Sequence, residues 1–422
     1  MKKFQTLTGM HDILPGDYRY FDKIYKTAEN LASFYNYGKI ETPILEDTNI
    51  FLKGTGKDTE IVEKQMYSFE SKSGKSITLR PEMTPGIVRA YIENGMASLP
   101  QPIKLYCCGP AFRYERPQAG RYRQFHQFNF DILGDKSYIT DVEIIQIAYL
   151  SLQELGLKDI IIEINSLGEK KCRVTYNKAL KKYLKKYSKN LCQNCLSKID
   201  KNPLRFLDCK ESSCQEIKAK NSSDLPKIID YLEEEPKKDF MNILETLDYI
   251  NIPYRLNHSL VRGLDYYTKT VFEILPDKKE GASSLGGGGR YDNMIKLFGG
   301  GDVPACGFAI GIERVVNQMK EMKIMNEEKY RFYLAQLGAL AKNDSFKILE
   351  TLRKNNISNI YFSLQKESLR AQLSQADKLN VKYMLILGQQ EVIEKKIIIR
   401  NMKTGEQDII KQENLLQTIK KL

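Results

Sequence analysis

No stretch of this 422-residue chain approaches the ~18 consecutive apolar residues that a membrane-spanning helix needs. A secretory leader is not expected either. The start, MKKFQTLTGMHDILPGD, carries two lysines but no apolar run behind them, so a cytoplasmic location is expected. A disulfide scaffold is a poor fit: eight cysteines in a long chain without a leader do not make the dense framework of a small secreted domain. Cys107, Cys108, Cys172 and Cys306 are scattered and read as small buried apolar residues. With 42% hydrophobic and 28% charged residues, the composition is that of a soluble globular protein with room for two or three domains.

What the chain does have is positive charge. Lys+Arg number 65 against 53 Asp+Glu, a net +12, which points to an anionic partner, with nucleic acid the leading candidate. Part of the excess follows from a general preference for lysine, but its distribution is uneven. Residues 331–422 hold sixteen Lys/Arg against nine Asp/Glu, a net +7.

The sequence is organised around Cys107 to Gly134, CCGPAFRYERPQAGRYRQFHQFNFDILG. Ile103, Leu105 and Tyr106 lead into it as a strand. Arg113, Arg116, Arg121 and Arg123 then crowd a loop punctuated by Pro117 and Gly120. A second alternating run follows, with Phe125, Gln127, Asn129 and Asp131 on one face and His126, Phe128, Phe130 and Ile132 on the other. Two period-2 segments joined by a turn-rich loop predict a β-hairpin. A basic loop is usually only solvated. Four arginines within eleven residues, beside an amide and a carboxylate aimed the same way, suit phosphate clamping and the reading of a small polar substrate better.

Other segments fall around this hairpin. Asp17 to Tyr37 predicts an amphipathic helix with Tyr18, Phe21, Ile24, Tyr25, Ala28, Leu31 and Phe34 along its stripe. Ile77 to Leu79 predicts a strand running into Arg80-Pro81-Glu82-Met83-Thr84, and Pro85 suits a first helical position. Glu82 and Thr84 thus sit at a strand-to-helix junction, although a glutamate there is also favoured by the helix dipole alone. Thr140 to Glu143 reads as a capping box opening a helix to about Leu155. Residues 158–165 form a buried strand. Leu260 to Tyr267 contains RGLDYY; there Arg262 either reaches a ligand or pairs with Asp265 on a surface turn. Gly286 to Gly289, followed by Arg290-Tyr291-Asp292, brings the backbone close to a ligand or makes a loose turn. Cys306 to Val316 reads as strand, glycine, helix. From Phe332 onward, strands at 332–337, 360–364, 383–387 and 396–401 alternate with helices, which predicts a small, mostly parallel sheet.

Cys192, Cys195, Cys209 and Cys214 stand apart. Their spacing, C-x2-C-x13-C-x4-C, is close to that of structural zinc sites. Against that stands packing as ordinary or free thiols in a helical insert, and no metal is the expectation taken.

The hairpin resembles the second signature motif of class II aminoacyl-tRNA synthetases, in the form found in histidyl-tRNA synthetases. RGLDYY and GGRYD resemble two peptides peculiar to that family, CGFAIGIERVV resembles the third class II motif, and the segment around Pro43 resembles the first, a dimer-interface element. The likeness runs through essentially the whole chain.

It implies an α+β fold: a class II catalytic domain on an antiparallel sheet flanked by helices (1–165 and 246–325), a helical insertion (166–245) and a C-terminal α/β anticodon-binding domain (330–422). It implies an enzyme that activates histidine with ATP and Mg²⁺ and transfers it to tRNA, working as a homodimer. By that resemblance Arg113 and Arg314 bind ATP and Arg262 works with Arg113 in catalysis. Glu82, Met83, Thr84, Gln127, Asp131, Arg262, Tyr266, Tyr267 and Tyr291 hold histidine. Arg116, Gln118, Arg121 and Arg123 meet the tRNA acceptor end. A catalytically silent, histidine-binding regulatory relative is the alternative, but such proteins lose these arginines and the last domain. A synthetase for another amino acid would lack RGLDYY and GGRYD.

Overall fold

Proline opens the first helix, α1 (Pro15–Phe34), where a missing backbone N–H costs nothing. Tyr20, Phe21, Ile24, Ala28, Leu31 and Ala32 are buried along one side. The ends of the expected stripe are not: Tyr18 and Phe34 are exposed, because a stripe of fixed spacing drifts around a helix of 3.6 residues per turn. The computed structural model describes residues 4–56, 59–118, 120–220, 224–277, 283–325, 330–366 and 368–422. It divides into two compact units, Met1–Ile324 and Met325–Leu422.

After α1 come β1 (Gly38–Lys39), β2 (Leu45–Asp47), α2 (Thr48–Gly54), β3 (Tyr67–Glu70), β4 (Ser76–Leu79) and α3 (Thr84–Glu93). The hairpin follows as β5 (Ile103–Phe112) and β6 (Gln124–Leu133), then α4 (Tyr138–Glu154) and β7 (Ile160–Ser166). Helices α5 (Lys170–Lys186), α6 (Gln193–Lys198), α7 (Ser212–Lys220) and α8 (Glu234–Tyr249) fill the next stretch. The unit closes with β8 (Tyr254–Leu256), β9 (Thr268–Pro276), β10 (Gly286–Arg290), α9 (Met294–Leu297), β11 (Ala305–Gly311) and α10 (Ile312–Glu321).

Eight of these strands form one sheet in the order β1-β5-β6-β11-β10-β9-β7-β8. All pairings from β5 through to β7 are antiparallel, and only the outermost, β1 with β5 and β8 with β7, are parallel. The hairpin register runs from Ile103 opposite Leu133 to Phe112 opposite Gln124. Helices α1, α4 and α10 pack on one face of this sheet, while a small antiparallel sheet, β2-β4-β3, stands apart. The fold class is therefore α+β with an antiparallel-dominated sheet, as expected.

The helix after the hairpin starts earlier than the capping-box reading places it. Ser137 caps α4, its hydroxyl accepting from the Ile139 amide at 3.3 Å. Glu143 instead takes the Lys104 ammonium at 2.7 and 2.9 Å, a partner on β5 that no local pattern reveals.

The second unit carries β12 (Phe332–Gln336), α11 (Ala339–Lys354), β13 (Ile360–Phe362), α12 (Leu369–Lys378), β14 (Tyr383–Leu387), α13 (Gln389–Ile393), β15 (Lys396–Asn401), β16 (Gln407–Lys411) and α14 (Leu415–Lys421). Its sheet runs β13-β12-β14-β15-β16. The first three strands are parallel; β15 and β16 are antiparallel to their neighbours, so the sheet is mixed rather than mostly parallel. β16 escaped the sequence reading because it is a largely exposed edge with little apolar alternation.

Candidate active site

Alternation along β6 creates the site. Phe128 and Phe130 turn toward the core, where Phe130 stacks on Phe308 with ring centroids 5.2 Å apart. Phe125, Gln127 and Asn129 turn the other way and line a cavity of about 310 Å³. The β5–β6 loop, the segment before α3, the RGLDYY loop, the glycine strand β10 and the start of α10 complete its wall.

Glycine at two positions leaves room for the charged walls. A Cβ on Gly307 would lie 2.3 Å from Asp131 Oδ1, and one on Gly287 would lie 2.6 Å from an Arg262 nitrogen. The glycine run is thus neither floppy nor a turn: it is a central strand whose neighbours occupy the space a side chain would need.

One end of the cavity is acidic and aromatic. Glu82 accepts from Tyr266 Oη at 2.8 Å and from Thr55 Oγ1 at 2.9 Å. Burial pushes its carboxyl up, opposed by the Arg113 charge and by these hydroxyls. Asp131 lies deeper, its Oδ1 accepting from Tyr291 Oη at 2.6 Å. Burial pushes the Asp131 carboxyl up to about 7, with the Tyr291 hydrogen bond opposing and the nearby Glu82 adding to the rise. Tyr266 packs against Tyr267 and Tyr291 at centroid distances of 4.5 and 5.9 Å. Asp131 Oδ2, Gln127 Oε1 and Asn129 Oδ1 are buried without a hydrogen-bond partner among the described residues. Three orphaned acceptors in one buried wall are costly unless a ligand brings N–H donors.

The other end is cationic. Arg113 donates to the Pro81 carbonyl at 2.8 Å and lies over the Phe125 ring. Arg314 donates to the Ser284 carbonyl at 2.5 Å. Burial lowers the Arg314 pKa, and the charges of Arg121 and Arg113 lower it further, so the three cations face one another. Such an arrangement is unfavourable in itself and is relieved by a polyanion. Arg262 sits between the two ends. It pairs with Glu273 at 2.5 Å and lies over the Tyr267 ring at 5.6 Å. Burial works against its charge, but Glu273 and the two tyrosines raise its pKa nonetheless. Asp265, the partner considered from sequence, instead meets Arg205 at 3.5 Å.

Of the residues singled out from sequence, Glu82, Thr84, Arg113, Arg121, Gln127, Arg262, Tyr266, Tyr267, Tyr291 and Arg314 line this cavity together, with Asp131 behind Gly307. Met83 does not. It is fully buried beneath the wall, its sulfur 3.2 Å from Cys107 Sγ. Arg116 and Gln118 are exposed on the loop, and Arg123 is half-buried, lying over the exposed Tyr114 ring at 3.7 Å. Sequence reasoning missed Glu273, whose only local signal was a charge in an apolar strand. It also missed Arg205 and Asp208, which the segment between α6 and α7 contributes to the wall. Glu313, in the first turn of α10, also lines the wall. It accepts from the His126 amide at 2.9 and 3.0 Å and from His126 Nδ1 at 2.8 Å, locking α10 to the hairpin.

Residues 9–315 match the family model for histidyl-tRNA synthetase, and residues 333–422 match that of an anticodon binding domain. The chain is 41% identical over 420 residues to a histidine–tRNA ligase of Dehalococcoides mccartyi, covering 99% of each. It is 44% identical over 407 residues to one of Fervidobacterium nodosum, covering 96% of this chain and 95% of the other. Among solved structures, apo S. aureus histidyl-tRNA synthetase superposes with a TM-score of 0.79 at 35% identity, covering 99% of both chains. A Bacillus halodurans structure described as an ATP phosphoribosyltransferase regulatory subunit/histidyl-tRNA synthetase gives 0.65 at 20% identity over 92% of this chain, a likeness of fold alone.

Proposed function

Because the chain belongs to the histidyl-tRNA synthetase family, we propose that its cavity takes L-histidine at the Asp131 end and the phosphates of ATP at the arginine end. The enzyme activates histidine with ATP, releasing pyrophosphate, and transfers it to the 3′ end of tRNA. The observation that carries the residue assignment is the pairing of orphaned acceptors with facing cations across one cavity. Histidine has N–H donors at two separated places, its ammonium and its ring. Glu82, Thr84 and the Gln127 carbonyl oxygen suit the ammonium, and Asp131 Oδ2 suits a ring N–H. Tyr291 fixes Asp131 through its other oxygen, and Tyr266 and Tyr267 wall the ring.

In the first step the substrate carboxylate attacks the α-phosphorus, and the bond to the bridging oxygen of pyrophosphate breaks. The carboxylate is already ionised, so no general base is needed. The obstacle is repulsion between anions as they join, and preorganised cations lower it most in the transition state. Arg262 lies where carboxylate and α-phosphate meet, Arg113 on the α-phosphate, and Arg314 toward the outer phosphates. Glu115 and Asp208 line the same wall and are oxygen donors of the kind a hard dication takes, so Mg²⁺ arriving with the nucleotide would be held by them and the phosphates, while Glu273 stays engaged with Arg262.

Exposed Arg116 and Gln118, with Arg121 at the rim, face the tRNA acceptor end in this reading, and the net +7 of residues 331–422 suits the anticodon arm. Pro43, Ile44 and Leu45 are exposed together, with Phe69 of the same small sheet, an apolar patch that suits a homodimer interface. No helix among the described residues is long and apolar enough to cross a membrane; a cytoplasmic location suits work on tRNA. ATP–pyrophosphate exchange measured for each amino acid in turn tests the reading. Exchange should depend on histidine alone and fall with Asp131→Ala; exchange with another amino acid, or none at all, would refute it.

A further inference from the structure

The helical stretch between β7 and β8 has a small core of its own, built from Tyr176, Leu180, Tyr183, Leu184, Phe206 and Ile217 among others. Set into that core are four thiols that the catalytic chemistry does not use. Cys192 and Cys195 flank the start of α6, Cys209 follows the short Pro203–Phe206 turn, and Cys214 lies in the first turn of α7. Their sulfurs all lie within 4.8 Å of one another, and none is in a disulfide.

Packing alone does not explain this convergence. Three separate backbone elements each turn a thiol toward one point, and Cys192 Sγ stands 3.7 Å from Cys209 Sγ. Four sulfurs at about 2.3 Å from a central ion in tetrahedral geometry are about 3.8 Å apart, so the cluster needs only a small contraction to close on zinc. Backbone amides point at the sulfurs, Cys195 N at Cys192 Sγ and Cys192 N at Cys214 Sγ, each at 3.4 Å. Amide donors of this kind stabilise thiolates and orient them. Cys209 is itself held in place, its carbonyl accepting from Gln215 Nε2 and from the Lys218 ammonium, both at 2.8 Å. That ammonium also sets a positive charge beside a cluster that four thiolates and one dication would leave net negative.

We propose that Cys192, Cys195, Cys209 and Cys214 bind one structural Zn²⁺. Four thiolates close the coordination sphere, leaving no position for substrate, so the ion is structural and not catalytic. Its place in the fold gives it a specific task. The segment from Asn202 to Asp208, strung between the second and third cysteines, supplies Arg205 and Asp208 to the catalytic cavity wall, and Arg205 is paired with Asp265 of the RGLDYY loop. A metal knot at Cys209 pins the end of that segment. The inference is independent of the amino acid that the enzyme activates.

The test uses the full chain purified without chelator. Elemental analysis should find about one zinc per chain. The four thiols should resist a thiol reagent until a mercurial displaces the metal, with zinc release stoichiometric to their modification. Substitution with cobalt(II) should give the thiolate charge-transfer and strong d–d bands of a tetrahedral sulfur site. Cys195→Ser and Cys209→Ser should each lower zinc content at least tenfold and expose the 202–208 segment to limited proteolysis. Four freely titratable thiols with no metal overturn the proposal, as does a pair of thiols recovered only by reductant, or iron in place of zinc. The wild-type measurements decide the question even if the variants fail to fold.

Discussion

Arg262→Gln is the sharpest probe of the site, because the structure separates two roles that sequence could not. The side chain is only 16% exposed and is held to Glu273, itself 26% exposed, at 2.5 Å. Breaking a fully buried pair by removing one partner costs about 3–5 kcal/mol, and this partly solvated pair should cost less, about 2–3 kcal/mol. Loss of a preorganised charge on the reacting anions should separately slow adenylate formation on the order of 10²–10³-fold, about 2.7–4 kcal/mol in barrier. Glu273→Gln breaks the same pair but leaves the guanidinium in the cavity. It should therefore lose similar stability while keeping adenylation within about tenfold of the native rate. Single-turnover formation of histidyl-adenylate, with histidine affinity and denaturant unfolding measured alongside, reads all three quantities. If the two variants slow adenylation equally, or if Arg262→Gln proceeds near the native rate, Arg262 acts only as a structural partner and the catalytic assignment fails.

Asp131→Asn should make the ligand-free enzyme more stable as pH rises. A carboxyl whose native value is about 7 keeps a proton that the unfolded chain gives up near 4, so native stability falls between those pH values. The asparagine variant avoids that loss. Its advantage should grow through the window and level off above it, at most on the order of 4 kcal/mol, while histidine binding weakens; a pH-independent difference would refute the titration. Gly307→Ala should push Asp131 aside, since the new methyl would lie 2.3 Å from Oδ1, costing about 1–3 kcal/mol and much of the histidine affinity. Calorimetric titration and thermal unfolding check both effects. Removing the second unit, Met325–Leu422, should weaken aminoacylation far more than pyrophosphate exchange, and equal loss of both in a folded first unit would contradict a tRNA-holding role.

The parts of the site legible in sequence are those fixed by local rules. Alternation along Phe125 to Ile132 placed one set of residues in the core and Gln127 and Asn129 in the cavity, because the strand period is two. Pro85 in the first turn of α3 likewise put Glu82 at the junction before it. What stayed hidden depends on pairings between distant positions. Glu313 meets His126 across 187 residues, and Lys104 claims Glu143 from the capping box that its own neighbours suggested. Met83 shows the converse error. It sits between two cavity residues, yet the chain turns it into the core, so a contiguous motif is not a contiguous surface.

Arg290 shows how far a binding preference can rest on residues outside the cavity. The β9–β10 register shifts between Gly289 and Arg290, breaking the regular alternation at that point. Arg290, 2% exposed, pairs with Asp141 at 2.5 Å and with Asp292 at 3.0 Å, and donates to the Asp135 carbonyl at 2.5 Å. Tyr291, the next residue, lines the cavity and holds Asp131 Oδ1. Burying such charges seldom stabilises a fold more than apolar packing would. Here the ion pairs fix the backbone from which Tyr291 projects. The tyrosine in turn occupies one oxygen of Asp131, and the other is buried without a hydrogen-bond partner among the described residues. On the proposed assignment of histidine to this end of the cavity, a register shift and a buried arginine on the strand would thereby set which oxygen is left to read the imidazole.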